Sequence, residues 1–365
     1  MIPQFDLKKE FASIEKEIRL ELDNVFSKAN YVGGENVNLI EKNIAKYIGV
    51  KYAVSCNSGT DALHFALESL NIKKGDEVIT TPFTFISTLE AIMYVGATPI
   101  FADIDLESYN INKKEILKKI TKKTKAIIPV HLFGNPFDVD DLKKDIDNKS
   151  IKIIEDCAQS FGAGINCKRT GSIGDIGCFS FYPTKNLGCY GDGGMIVTNS
   201  EEYYEIIKKL KNHGSSKRYH HDIIGFNSRL DEIQAAILNI KLKYIDKLNL
   251  KRIGVANTYN SLLVDIKNIS LPKKNKNGHH VYHQYTISSD LRDEIKLKLE
   301  ENNIGSAIYY PISLEKQKAY TSNYQNLENY INSNFLSNTC LSLPMFPQLA
   351  EENIIEICNV IKTIK

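Results

Sequence analysis

Apolar and polar positions alternate in two rhythms along the chain. Seven short apolar runs read as strands: Ala53 to Cys56, Glu77 to Thr81, Pro99 to Ile104, Ala126 to His131, Ile151 to Cys157, Ile176 to Tyr182 and Met195 to Thr198. Most are rich in Val, Ile and Phe and lack a strict period of two, as strands covered on both faces do. Amphipathic segments lie between them. Leu63, Ala66, Leu67 and Leu70 follow the i, i+3, i+4, i+7 spacing of a helix with one buried face. Leu7 to Ser27 reads as an N-terminal helix ending before Gly33 and Gly34. Strands alternating with helices predict an α/β fold with a mostly parallel sheet of seven strands between helical layers.

The rhythm changes near Ile240. Leu230 to Leu248 reads as one long amphipathic stretch leading away from the sheet. Beyond it the pattern gives a strand at Tyr285 to Ser288, a helix at Glu294 to Asn302, a strand at Ser306 to Tyr310 and a final helix from Glu351. We therefore expect a large domain over 1–245 and a smaller C-terminal α/β domain over 246–365.

Composition narrows the function classes. The 365 residues include 46 basic and 44 acidic side chains, a formal charge of +2, which gives no global attraction for nucleic acid or an anionic membrane. No apolar run reaches the roughly 18 residues of a membrane span. The start of the chain, Met1 to Phe11, is too polar for a secretory signal. Seven cysteines at 56, 157, 167, 178, 189, 340 and 358 form no CxxC pair. That suggests a reduced, cytoplasmic protein whose cysteines bind no metal.

Three constellations carry chemistry. Ser58-Gly59-Thr60-Asp61 follows a strand and opens a helix. Free backbone N–H groups there suit a phosphate, although an ordinary N-cap has the same residues. Glu155 and Asp156 end a buried strand, where a carboxylate faces the ligand crevice of an α/β protein or merely caps a loop. Phe179-Ser180-Phe181-Tyr182-Pro183-Thr184-Lys185, followed by Gly191-Asp192-Gly193-Gly194, places one lysine in a loop of small residues. Lysine attacks carbonyls only when neutral, and alone this one is no different from other lysines.

Their order along the chain is more informative. A phosphate-type helix start, the aromatic Phe85, an acidic strand end and a Ser-x-x-x-x-Lys loop resemble the fold-type I pyridoxal-phosphate enzymes, the aspartate aminotransferase-like group. More narrowly, the chain resembles the sugar aminotransferases of the DegT/DnrJ/EryC1/StrS family. The resemblance runs from Ile2-Pro3-x-x-Asp6-Leu7 to Ser342-Leu343-Pro344-Met345. It is closest in Lys185-Asn186-Leu187-Gly188-Cys189-Tyr190-Gly191-Asp192-Gly193-Gly194 and in Gly225-Phe226-Asn227-Ser228-Arg229-Leu230.

The resemblance implies a role for each matching residue. Lys185 would hold pyridoxal 5'-phosphate as a Schiff base, and Asp156 would pair with its ring nitrogen. Gln159 would meet the ring hydroxyl oxygen, and Phe85 would stack on the ring. Gly59, Thr60 and Ser180 would bind the phosphate, joined by Asn227 from a neighbouring subunit of a homodimer. Lysine at 185, where dehydratases of the family carry histidine, implies amino transfer through pyridoxamine 5'-phosphate. Glutamate would be the donor and 2-oxoglutarate its product. The acceptor would be a keto-sugar nucleotide, UDP- or dTDP-linked, aminated at C3 for surface polysaccharide or lipopolysaccharide.

Amination at C4 of a 4-keto-6-deoxy sugar, or a non-sugar activity of the same fold type, stays open. For the acceptor we single out Arg229, Tyr309 and Tyr310, together with the basic and aromatic run Lys217 to His221; each also has an ordinary structural reading. His131 reads as structural. A desulfurase lacks support because Cys340 and Cys358 sit in or near apolar segments. A DNA-binding regulator lacks a spare segment for its second domain, and no GxGxxG follows the first strand as a nicotinamide enzyme requires.

Overall fold

A computed structural model describes residues 1–148, 150–324 and 328–364. All seven predicted runs form strands of one sheet: β1 (Tyr52–Cys56), β2 (Glu77–Thr80), β3 (Thr98–Phe101), β4 (Thr124–Ile128), β5 (Lys152–Asp156), β6 (Ile176–Ser180) and β7 (Gly194–Thr198). Their spatial order is β1-β7-β6-β5-β4-β2-β3. Only β7 runs against the others, pairing antiparallel with β1 and β6. Several strands stop short of the apolar runs that announce them; the leftover residues, such as Phe181 and Ile104, are buried but lie in loops.

The lack of alternation has a direct cause. Neighbouring residues of one strand feed cores on opposite faces. Ala53 packs with the helix Glu35–Ile48, while Val54 packs under the helix Gly59–Ser69. Ile127 and Ile128 divide in the same way. Because both faces are covered, both phases of the strand must be apolar.

The N-terminal helix spans Leu7–Lys28, close to its expected limits. The stretch Leu230 to Leu248 is not continuous. It breaks at Lys243–Tyr244 into helices Glu232–Leu242 and Ile245–Leu263. The second of these enters a separate core in which Val255, Tyr259 and Leu263 meet Tyr285, Ile295, Leu341 and Ile357. Ile2 packs into this core too, so the chain's first residues lie against its last third.

One strand assignment is corrected. Ser306 to Tyr310 forms no strand; Ala307 makes a single bridge to Ser342. The partner of β8 (Tyr285–Ser288) is β9 (Cys340–Leu343), antiparallel, with Tyr285 opposite Leu343. The helix expected at Glu294 to Asn302 spans Arg292–Glu301, and the last helix begins at Glu351 as expected. No helix among the described residues is long and apolar enough to cross a membrane.

Candidate active site

The sheet topology brings four chain segments to one edge. β1, β5 and β6 all run the same way, and each ends beside the next functional segment: Ser58 to Thr60, Asp156 to Gln159, and Ser180 to Lys185. The reversed strand β7 begins at this edge and so delivers Asp192 and Gly193 to it. A cavity of about 600 Å3 opens there, at the carboxyl ends of the parallel strands where α/β proteins bind ligands.

Lys185 lines this cavity, held by a tight turn in which its N–H donates to the Tyr182 carbonyl at 2.9 Å. The loop beyond is pinned by Asn186, whose Nδ2 donates to Asn249 Oδ1 at 2.8 Å and to the Val281 carbonyl at 3.0 Å. Gly188 is required in the turn, since a Cβ there would sit 2.5 Å from the Pro183 carbonyl oxygen. Burial lowers the Lys185 pKa to about 8, against the opposing pull of Asp156. A larger share of the amine is therefore neutral near physiological pH than for an ordinary lysine, and neutral is the state needed for attack on a carbonyl.

Asp156 is buried at 4% exposure, and burial raises its pKa. Four groups oppose that rise: the Ala158 N–H at 3.1 Å, the Thr88 hydroxyl at 2.8 Å, Lys185 and His131. The carboxylate still borders the cavity and is poised for a cationic partner. Gln159 is fixed on both sides. Its Oε1 accepts from the Phe133 N–H at 2.7 Å, and its Nε2 donates to the Tyr310 hydroxyl at 3.0 Å.

Across the cavity, the helix Gly59–Ser69 begins with Ser58 as its cap; Ser58 Oγ accepts from the Asp61 N–H at 3.1 Å. The first-turn N–H groups of Gly59 and Thr60 have no intrahelical acceptor and face the site with the positive end of the helix dipole. Gly59 packs so tightly on Ser180 that an added Cβ would lie 2.6 Å from the Ser180 Cβ. Thr60 Oγ1 and Ser87 Oγ are 2.7 Å apart. Phe85, 55% exposed, forms a wall with its ring 6.2 Å from that of Tyr310.

One cavity thus gathers Gly59, Thr60, Phe85, Asp156, Gln159, Ser180, Lys185, Tyr309 and Tyr310. Asn227 and Arg229 are not among its lining residues. They hold one another, with Arg229 Nη2 donating to Asn227 Oδ1 at 2.5 Å, and Arg229 Nη1 donates to Asn212 Oδ1 at 3.1 Å. The run Lys217 to His221 lies in a small exposed hairpin, Ser215–Lys217 against His220–His221. His131 is a buried structural link: Nδ1 accepts from the Phe137 N–H, which leaves Nε2 to donate to Glu155 at 2.9 Å. With Cys157 these two groups bring ligand-type atoms within 4.8 Å, but the hydrogen bonds of His131 and Glu155 already occupy that knot.

The sequence reading missed Thr88, His283 and Gln284, all of which line the cavity. A signal for His283 was present. Three of the chain's eight histidines fall between 279 and 283, just before the β8 run. Thr88 offered none, because only folding sets its hydroxyl against Asp156.

The residues present fit pyridoxal phosphate. The amine, the buried carboxylate and the helix start lie around one cavity, at places that suit its aldehyde, its ring nitrogen and its phosphate. Sheet and site together define a fold-type I pyridoxal-phosphate enzyme. Within that class the DegT/DnrJ/EryC1/StrS aminotransferase family profile matches residues 12–362, and the chain belongs to this family. It is a pyridoxal-phosphate-dependent aminotransferase.

A relative from Acidithiobacillus ferrooxidans, UDP-N-acetyl-3-dehydro-alpha-D-glucosamine 3-aminotransferase, is 45% identical over 99% of this chain and 97% of its own. Among solved structures, DesV of S. venezuelae superposes with a TM-score of 0.96 at 34% identity, covering 99% of this chain and 98% of its own. NtdA of Bacillus subtilis, solved with bound pyridoxamine phosphate, has a TM-score of 0.88 at 30% identity, covering 96% and 82%.

Proposed function

We propose that the chain transfers the amino group of an amino acid, glutamate in the first instance, to C3 of a keto sugar carried on UDP. Surface polysaccharide or lipopolysaccharide would receive the amino sugar, and the reaction would take place in the cytoplasm. The observation that carries the amino-transfer part is the amine of lowered pKa at Lys185 beside the buried carboxylate of Asp156. The sugar, its nucleotide and the C3 position are supported by the Acidithiobacillus relative.

When bound, pyridoxal phosphate supplies an electron-withdrawing ring that stabilises negative charge on the donor's α-carbon. The protein's own groups do the rest. Lys185, its pKa lowered to about 8, takes the α-proton and returns it as general base and acid. Asp156 holds a proton on the ring nitrogen by offering it a buried anion. Thr88 and the Ala158 N–H keep that carboxylate in place. The N–H groups at Gly59 and Thr60, with the Ser180 hydroxyl, would hold the phosphate. Phe85 would cover one ring face, and Tyr309 and Tyr310, which line the same cavity, would border the sugar.

Asn227 and Arg229, which are not among the lining residues of their own cavity, would reach the site of a partner subunit in a homodimer. The phosphate contact of Asn227 and the acceptor contact of Arg229 are then both made across the interface.

The test is a panel of 3-keto and 4-keto sugars on UDP and dTDP, each mixed with the pyridoxamine form. Return of the aldehyde-form absorbance should be fastest with a 3-keto UDP sugar. A faster response to 4-keto sugars would move the reading to C4, and silence throughout the panel would remove the sugar.

A further inference from the structure

The amino donor poses a problem of charge. It brings a carboxylate into the cavity, and a carboxylate is ordinarily met by arginine or lysine. Among the described residues that line the cavity, Lys185 is the only cation, and its amine is the reacting group. The wall beside it offers His283 and Gln284 instead.

His283 is 3% exposed, and its Nδ1 finds no hydrogen-bond partner among the described residues. Its Nε2 lies 3.5 Å from Gln284 Nε2. An amide nitrogen can only donate, so Nε2 is the accepting atom and the proton of the neutral ring sits on Nδ1. Gln4 supports that amide orientation: its Nε2 donates to the Leu343 carbonyl at 3.2 Å and lies 3.5 Å from Gln284 Oε1. Burial, with Lys185 and Arg252 nearby, holds the imidazole pKa well below its ordinary value, so the ring stays neutral. Folding alone leaves this buried N–H without an acceptor, which a bound reactant can supply.

A neutral donor also suits a cavity that receives two reactants in turn. A buried arginine would be uncompensated whenever an uncharged sugar ring replaced the carboxylate. An imidazole N–H serves a carboxylate or a hydroxyl alike.

We propose that His283, through Nδ1–H, anchors the α-carboxylate of the amino donor. The inference rests on the amino-acid half of the proposed function and not on the sugar.

The test is the first half-reaction of the holoenzyme with glutamate alone, followed by loss of the aldehyde-form absorbance. His283→Phe should raise the half-saturating glutamate concentration about 10- to 100-fold, the weight of a hydrogen bond to a charged group. The saturating rate should change less, and cofactor affinity by spectral titration should stay the same. His283→Asn, which keeps an N–H near the Nδ1 position, should recover most of the loss. With no sugar present, an error in the acceptor leaves this result standing. A wild-type enzyme that glutamate cannot convert would refute the donor assignment itself. Wild-type saturation in His283→Phe overturns the proposal, as does a loss that falls on Arg229→Ala instead. Should His283→Phe fail to bind cofactor, His283→Asn and His283→Gln decide: weaker glutamate binding in the Gln variant supports it, and equal binding overturns it.

Discussion

Lys185 carries a stored cost that the free chain does not have. Its pKa falls from the usual lysine value of 10.5 to about 8 in the folded protein. Between those values the unfolded chain binds more protons than the folded one, so stability rises with pH across that window. Below pH 8 the full penalty is present. In cofactor-free protein, Lys185→Met should therefore raise stability at pH 7 by about 1–3 kcal/mol, reduced from the full shift by water entering the cavity. The gain should shrink as pH approaches 10.5. Urea titrations at pH 7 and pH 9.5 check this, and an equal gain at both values would contradict it. The same variant should lose about 10²-fold or more in amino transfer, since the proton-moving group is gone. Residue-scale legibility follows from this contrast. Lys185, Asp156 and Ser180 could be found because the order of their motifs resembles a known family; strand ends and loop composition alone left each an ordinary reading. His283 and Thr88 could not be assigned, because their roles depend on which distant group folding sets beside them.

At the scale of elements, two helix starts show what sequence does and does not reveal. The helix Gly59–Ser69 has its cap written locally in Ser58. The helix Glu35–Ile48 begins at Gly34 with no side-chain cap of its own. Glu232, almost 200 residues away, supplies one: its carboxylate accepts from the N–H groups of Gly34 at 2.8 Å, Asn36 at 2.9 Å and Val37 at 2.9 Å. Glu232→Ala strips three donors of their acceptor and should cost about 2–4 kcal/mol, measurable as a lowered urea midpoint at unchanged slope. Gly59 makes the complementary point. Gly59→Ala forces a methyl into the Ser180 side chain, so the helix start and β6 must separate. Cofactor should dissociate about tenfold more readily, as read by spectral titration, while the sheet itself stays folded. Unchanged affinity would mean that the phosphate does not sit there. The one misassigned strand has a related origin. Ser306 to Tyr310 and Cys340 to Leu343 are both short and apolar, and pairing with β8 selects the second. That choice belongs to register and packing, which a local pattern does not contain.

At the scale of the molecule, several features left over in one chain would be accounted for by the proposed second copy. Ile224 is 91% exposed and Tyr219 79% exposed, beside Phe226 and close in sequence to Asn227 and Arg229. Large apolar side chains in one exposed segment would suit the proposed association surface. Asn227, matched to a family phosphate contact, and Arg229, a candidate for the acceptor, hold one another and do not line their own cavity. If each site takes Lys185 from one subunit and Asn227 from the other, defects at the two positions should complement. Lys185→Ala removes the reacting amine, and Asn227→Ala removes a phosphate contact given across the interface. Unfolded together and refolded, half the dimers become mixed, and each mixed dimer has one intact site and one site with both defects. Activity should return to about a quarter of wild type, well above that of either variant refolded alone. Separately refolded variants mixed afterwards should recover only as fast as subunits exchange. If co-refolding gives no more than the mean of the two variants, Asn227 does not act across the interface. The exposed segment would then need another explanation, and the cavity would have to bind its phosphate with Gly59, Thr60 and Ser180 alone.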